Sequence, residues 1–194
     1  MKLRLNIWML TLPVIFIMAS CAQSPMGDKV KEPFSGNKYE SNNRFFRSVG
    51  KGSSTRDNIA EGKADIEAKR ELAQQVQTTL RVVTDQYLAD TQTENGSEVN
   101  DKFQTLIREV TNTQIGDLRK IGQEKFIKEG TYTVYVAFEI KKNAMLRFLK
   151  KKARTDAKID KVSADAIDAI LDRELTRLDA LDGADDDDND DDDE

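Results

Sequence analysis

The sequence predicts an α+β fold: a small, mostly antiparallel sheet of about three strands with helices packed on one face, plus a long C-terminal helix. Three observations carry that expectation. Tyr132, Val134, Val136, Phe138 and Ile140 alternate with Thr131, Thr133, Tyr135, Ala137 and Glu139, the period of a strand with one buried face. Ala60, Ala64, Ala68, Leu72, Val76, Leu80, Val83 and Tyr87 recur at three- or four-residue steps. That is a long amphipathic helix, and its small-residue start implies close packing on a sheet. Met145, Leu146 and Leu149, then Ile159, Val162, Ala166, Ile170, Leu171, Leu175 and Leu178, give a second helical pattern that closes the folded part of the chain.

Taken in order, residues 1–20 read as a secretory signal. Lys2 and Arg4 are basic, and an apolar run from Ile7 to Met18 follows, interrupted by Thr11 and Pro13. The run is shorter than the roughly 20 apolar residues a spanning helix needs. Small Ala19 and Ser20 lead into Cys21, the only cysteine. A lone cysteine in an exported chain has no internal disulfide to make, so it needs another role. Residues 21–42, with Pro25, Gly27, Pro33 and Gly36, read as a flexible tether, and Phe34 and Tyr39 are the side chains that could dock it.

Residues 44–50 read as a first strand ending in Gly50 and Gly52, after which Ser53-Ser54-Thr55 leads to the long helix. Asn58 and Glu61 fit the N-cap and N3 places of a capping box. A polar loop spans 91–96, and Phe103, Leu106, Ile107 and Val110 mark a shorter helix. Ile115, Leu118, Ile121, Phe126 and Ile127 then suggest a strand entered through a kink near Gly116, with a turn at Glu129-Gly130. Helix resumes after Asn143 as one helix or as two joined near Thr155, and Gly183 is expected to end it.

The net charge of −5 is unevenly placed, because residues 185–194 hold nine acids and one Asn. Without that tail the chain is slightly basic and has no clustered basic face, so nucleic acid is not an expected partner. The tail is too charged to fold alone, and it lacks the Gly and distal Glu of an EF-hand; only weak, diffuse cation binding is expected of it. Lys150 to Arg154 form a basic cluster open to three readings: contact with anionic lipid, an exposed helix turn, or an intramolecular partner for the acids.

The chain has no histidine and no Gly-x-Ser-x-Gly elbow. Gly50-Lys51-Gly52-Ser53-Ser54 sits between strand and helix like a phosphate loop, yet Lys51 is followed by Gly and no glycine lies five places before Gly50. A turn that uses glycine's backbone freedom accounts for it. Asp65 with Glu67, or Glu71 with Asp85, are the carboxylates available for acid-base chemistry, and the sequence does not separate them from a solvated helix side. No catalytic, cofactor-binding or metal-binding residue is therefore predicted, and the chain is expected not to be an enzyme.

Met18-Ala19-Ser20-Cys21 resembles the lipobox of bacterial lipoproteins, with Met where Leu is commonest. Two further stretches look like the Lpp-twenty family of small bacterial lipoproteins: Phe46-Arg47-Ser48-Val49-Gly50-Lys51-Gly52-Ser53-Ser54, and the run from Ala64 to Gln77. Gly130 to Ala137 matches the other half of that family's pattern, and the resemblance extends to the N-terminal domain of flagellar outer-membrane ring proteins of the T type. It covers residues 43–142 and leaves out the helical segment 143–182 and the acidic tail 183–194, expected to be disordered. It implies lipid on Cys21, cleavage before that residue, and membrane attachment through acyl chains. Each buried methylene contributes about 0.8 kcal/mol, and two or three chains hold where one does not. Ala22 after the cysteine implies the outer membrane. The expected role is a non-enzymatic interaction or assembly module with an envelope protein as partner. Self-association through Ile159, Val162, Ala166 and Ile170 is the alternative.

Overall fold

The computed structural model describes residues 30–91, 95–113 and 117–187. The predicted signal, Cys21, the kink at Gly116 and residues 188–194 lie outside the described residues. The chain divides into two units, Met1–Lys31 and Glu32–Glu194, and every element below belongs to the second. They are β1 (Phe45–Ser54), α1 (Asp57–Thr91), α2 (Gly96–Thr113), β2 (Arg119–Lys128), β3 (Thr131–Lys141), α3 (Lys142–Thr155) and α4 (Lys161–Asp187). The three strands form one antiparallel sheet in the order β1-β3-β2. The fold is α+β, with helices on one face of the sheet and a long C-terminal helix.

What fixes α1 on the sheet is the absence of side chains. Phe46, Ser48, Gly50 and Gly52 alternate toward the helix, opposite Ile140, Phe138, Val136 and Val134 of β3. A Cβ on Gly50 would stand 2.1 Å from the Ala64 carbonyl oxygen and 2.5 Å from the Ala68 nitrogen; one on Gly52 would stand 2.1 Å from the Ala60 oxygen. The helix answers with Ala60, Ala64 and Ala68, all fully buried. Ser48 closes the contact by donating its hydroxyl to the Ala68 carbonyl at 2.7 Å. Gly50 and Gly52 therefore lie inside β1, where they admit the helix backbone, and do not end the strand as the sequence suggested.

At 1.5 Å per residue, α1 is about 52 Å long and overreaches the sheet. Its second half buries Leu72, Val76 and Leu80 in the same core as Phe103 and Ile107 of α2, Met145 and Leu149 of α3, and Ile167, Ile170 and Leu171 of α4. One helix thus spans a sheet layer and a four-helix cluster.

Several sequence expectations need correction. The helix starts at Asp57, with Ala60 donating to the Arg56 carbonyl, so Asn58 lies inside it and is not its cap. Glu61 reaches Lys125 on β2 in place of the helix terminus. The C-terminal segment is two helices, and α4 continues past Gly183 to Asp187. The strand expected to have one buried face is central: Tyr135 and Ala137, which face away from the helices, are also buried. Their cover comes from the N-terminal stretch.

Candidate interaction surface

Tyr135 lies on the sheet face turned away from the helices, and the expected tether runs along that face from Glu32 onward. The Glu32 carboxylate accepts from Lys51 at 2.8 Å and from the Tyr135 hydroxyl at 3.3 Å. Lys51 also lies 5.2 Å from the Tyr135 ring centre, and Phe126 meets that ring edge-on at 6.0 Å. Phe34 sits on Gly122 of β2, where a Cβ would come within 2.5 Å of its ring. Phe34 has a φ of 58°, rare for a side-chain-bearing residue, and Tyr39 packs against it at 4.9 Å. Both residues named as able to dock are thus in contact, and the strap they form lies over the middle of this face, where Tyr135 and Ala137 are buried.

The same strap caps the start of the outward edge of β1. Asn42 donates its backbone N–H to the Phe45 carbonyl, and Ser41 accepts the Arg47 N–H at 2.8 Å. The Arg47 carbonyl accepts from Gln75 of α1 at 3.0 Å, and the Ser53 carbonyl accepts from Lys63 at 3.1 Å. Such pairing satisfies groups that would otherwise invite another strand.

The opposite edge, β2, is finished differently. It is almost wholly exposed on both faces, and among the described residues no backbone group of its outward edge is hydrogen-bonded to another segment. Ion pairs hold it under α1. Asp57, Glu61 and Asp65 line one flank of the helix; Lys125 meets Asp57 at 3.0 Å and Glu61 at 2.9 Å, and Lys120 meets Asp65 at 3.4 Å. The hydrogen bond from Lys125 keeps the Glu61 carboxyl below its usual range. Phe126 and Ile127 remain 48% and 63% exposed. The sequence reading marked these two residues as strand apolar positions and missed the edge, since strand order is not written in any local pattern.

Neither a scan against protein-family models nor a search of the curated proteins finds a match for this chain. The arrangement has to be judged on its own chemistry.

The carboxylates weighed for acid-base work are drawn apart. Asp65 faces β2, whereas Glu67 and Glu71 take Arg70 on the other flank, and Asp85 lies 3.9 Å from Arg81. Arg70 lowers the Glu67 pKa, the direction of an ion-pair member and the opposite of a proton donor near neutrality. A cavity of about 190 Å³ near the α3–α4 connection is lined by Asp101, Glu109, Asp156, Lys102, Lys158 and Ile159. Lys158 pairs with Glu109, and Lys102 with Glu98 and Asp160. Among the described residues no group of three or more potential ligands is placed to hold a metal ion, and no helix is long and apolar enough to cross a membrane.

The basic cluster finds its partners within the folded chain. Lys150 pairs with Asp172 and Arg154 with Asp168, both on α4, while Lys152 lies over the Phe148 ring. Of the stripe expected to self-associate, Ile170 is fully buried in the core, Ile159 and Ala166 are partly buried against it, and Val162 alone is exposed, at 66%. A second copy could reach that stripe only by opening the domain.

Proposed function

We propose that this chain is a lipid-anchored lipoprotein of the bacterial outer membrane whose folded domain is a non-enzymatic interaction module, related to the Lpp-twenty family. The carrying observation is in the sequence: a short basic-apolar leader followed by Met18-Ala19-Ser20-Cys21, with no other cysteine. The geometry supports the second half of the reading, because one sheet edge is capped in part by side chains and the other is left open and partly apolar. An open edge of this kind offers main-chain hydrogen bonds to another strand. The test is the mass and membrane fraction of the mature protein beside Cys21→Ser. Acyl mass on Cys21 and loss of outer-membrane association in the variant are expected. An unmodified Cys21, or identical fractionation of the two proteins, overturns the anchor.

A further inference from the structure

We propose that the open edge of β2 pairs with the same edge of a second copy of this chain, antiparallel and centred on Phe126. The inference deepens the anchored-module reading and rests on it, naming the partner. It starts from an asymmetry of the sheet: the strap and α1 take the outward groups of Phe45 and Arg47 and the Ser53 carbonyl of β1, while β2 keeps ten residues of strand with no such partner on its outward edge among the described residues.

The side chains of β2 suit a second copy, and among pairings centred on Glu124, Lys125 or Phe126 they single out one. Gly122, Glu124, Phe126 and Lys128 face the strap side, and Gln123, Lys125 and Ile127 face α1, as their pairing with β3 requires. Two copies related by a two-fold axis through the sheet keep like faces together, so residues directly opposite must come from the same face. Centred on Glu124, the pairing sets two carboxylates against each other; centred on Lys125, two ammonium groups. Centred on Phe126, the two Phe126 rings meet, and each Glu124 lies opposite Lys128 of the other copy. Neither Glu124 nor Lys128 has an ion pair of its own among the described residues, so both are free to form these two reciprocal pairs. On the α1 side Ile127 comes opposite Lys125, whose head stays with Asp57 and Glu61 while its methylene stem covers the isoleucine.

A cross-strand pairing of this length is weak in dilute solution. Two copies held in one membrane meet at a raised effective concentration, which is what a small self-complementary edge requires.

Oxidative cross-linking of the full-length protein in its native membranes tests this. If Cys21 is acylated, an introduced cysteine is the only free thiol, and directly opposed strand positions lie within disulfide reach. Phe126→Cys is expected to give at least tenfold more covalent homodimer than Val162→Cys, which reports on the α4 surface. Ile127→Cys alone stays monomeric, but mixed with Lys125→Cys it cross-links. Adding Glu124→Lys to Phe126→Cys lowers the yield several-fold, and adding Lys128→Glu as well restores it, a rescue that misfolding does not produce. Equal yields at 126 and 162, no dimer at 126, or a cross-link from 126 to a different protein overturns the proposal. A wild-type dimer through Cys21 sinks the lipid anchor instead, and it is read in its own lane.

Discussion

Gly50 and Gly62 make opposite demands on a methyl group. At Gly50 an added Cβ meets backbone atoms of Ala64 and Ala68 well inside contact distance; at Gly62, in the helix and facing open space, it meets nothing within 4 Å. Gly50→Ala must push α1 off the sheet and is expected to cost about 3 kcal/mol or more, at the upper end of overpacking. Gly62→Ala removes a helix-interior glycine and is expected to stabilise by about 0.8 kcal/mol. Urea denaturation of both variants checks the pair, and equal effects would refute the close-approach account. The signal for this contact was present in the sequence: Ser48, Gly50 and Gly52 at strand spacing, then Ala60, Ala64 and Ala68 at helix spacing. Read one element at a time, the glycines looked like a turn. Read together, two small-residue series with different periods describe one interface. That contact also gives the motif residues of the family resemblance a physical reason of their own.

The strap shows what a local reading misses at the scale of an element. Phe34 and Tyr39 were legible as apolar residues in a polar stretch, but the seat of Phe34 is Gly122 on a strand far along the chain, Tyr39 packs on Phe34, and no short-range pattern joins them. Pro25, Gly27, Pro33 and Gly36 made the whole stretch look like linker. The strap's outer end hangs on Glu32, whose carboxyl lies below its usual value first because Lys51 donates a hydrogen bond to it and then through the Lys51 charge. A depressed carboxylate pKa favours the docked form above the free-state value, about 4.3 for glutamate, and that contribution is lost as pH falls through the docked value. Amide exchange across residues 34–40, corrected for its intrinsic pH dependence, should therefore show protection at pH 7 that falls away in acid. Both partners are half exposed, so the loss is modest and confined to the strap. Glu32→Gln should show the acid behaviour at neutral pH. Unchanged protection in that variant would contradict the assignment.

For the molecule as a whole, α4 is part of the core and not an appendage. Ile167, Ile170, Leu171 and Leu178 are buried, Asn143 donates to Asp179 at 2.8 Å, and Lys150 and Arg154 pair across to α4. Deleting residues 161–194 is expected to abolish cooperative thermal unfolding, whereas deleting only 188–194 should change stability by less than about 0.5 kcal/mol. Calorimetry on the two truncations decides it, and a cooperative transition in the shorter chain would show that α4 is dispensable. The α+β class and the sequence of elements were legible because each long element keeps its period. The expected stripe of α4 shares Ile170, Leu171 and Leu178 with the buried one but takes Val162 and Leu175 where Ser163 and Glu174 are buried, because an apolar pattern steps over a buried hydroxyl and a buried carboxylate paired with Arg177.

The register of the sheet has a temporal side. Phe45 pairs with Lys141 and Ser54 with Tyr132, so β1 is complete before the strand that must hydrogen-bond to it has been synthesised. Between them the chain has to lay down α1, α2 and β2. Throughout that interval the native neighbours within reach of β1 are the strap that precedes it, through Glu32, Ser41 and Asn42, and α1, through Gly50, Gly52 and the three alanines. The small-residue contact is therefore the first helix-on-strand packing this domain can form, and the central strand is the last of the three to arrive, closing a sheet whose outer members already exist.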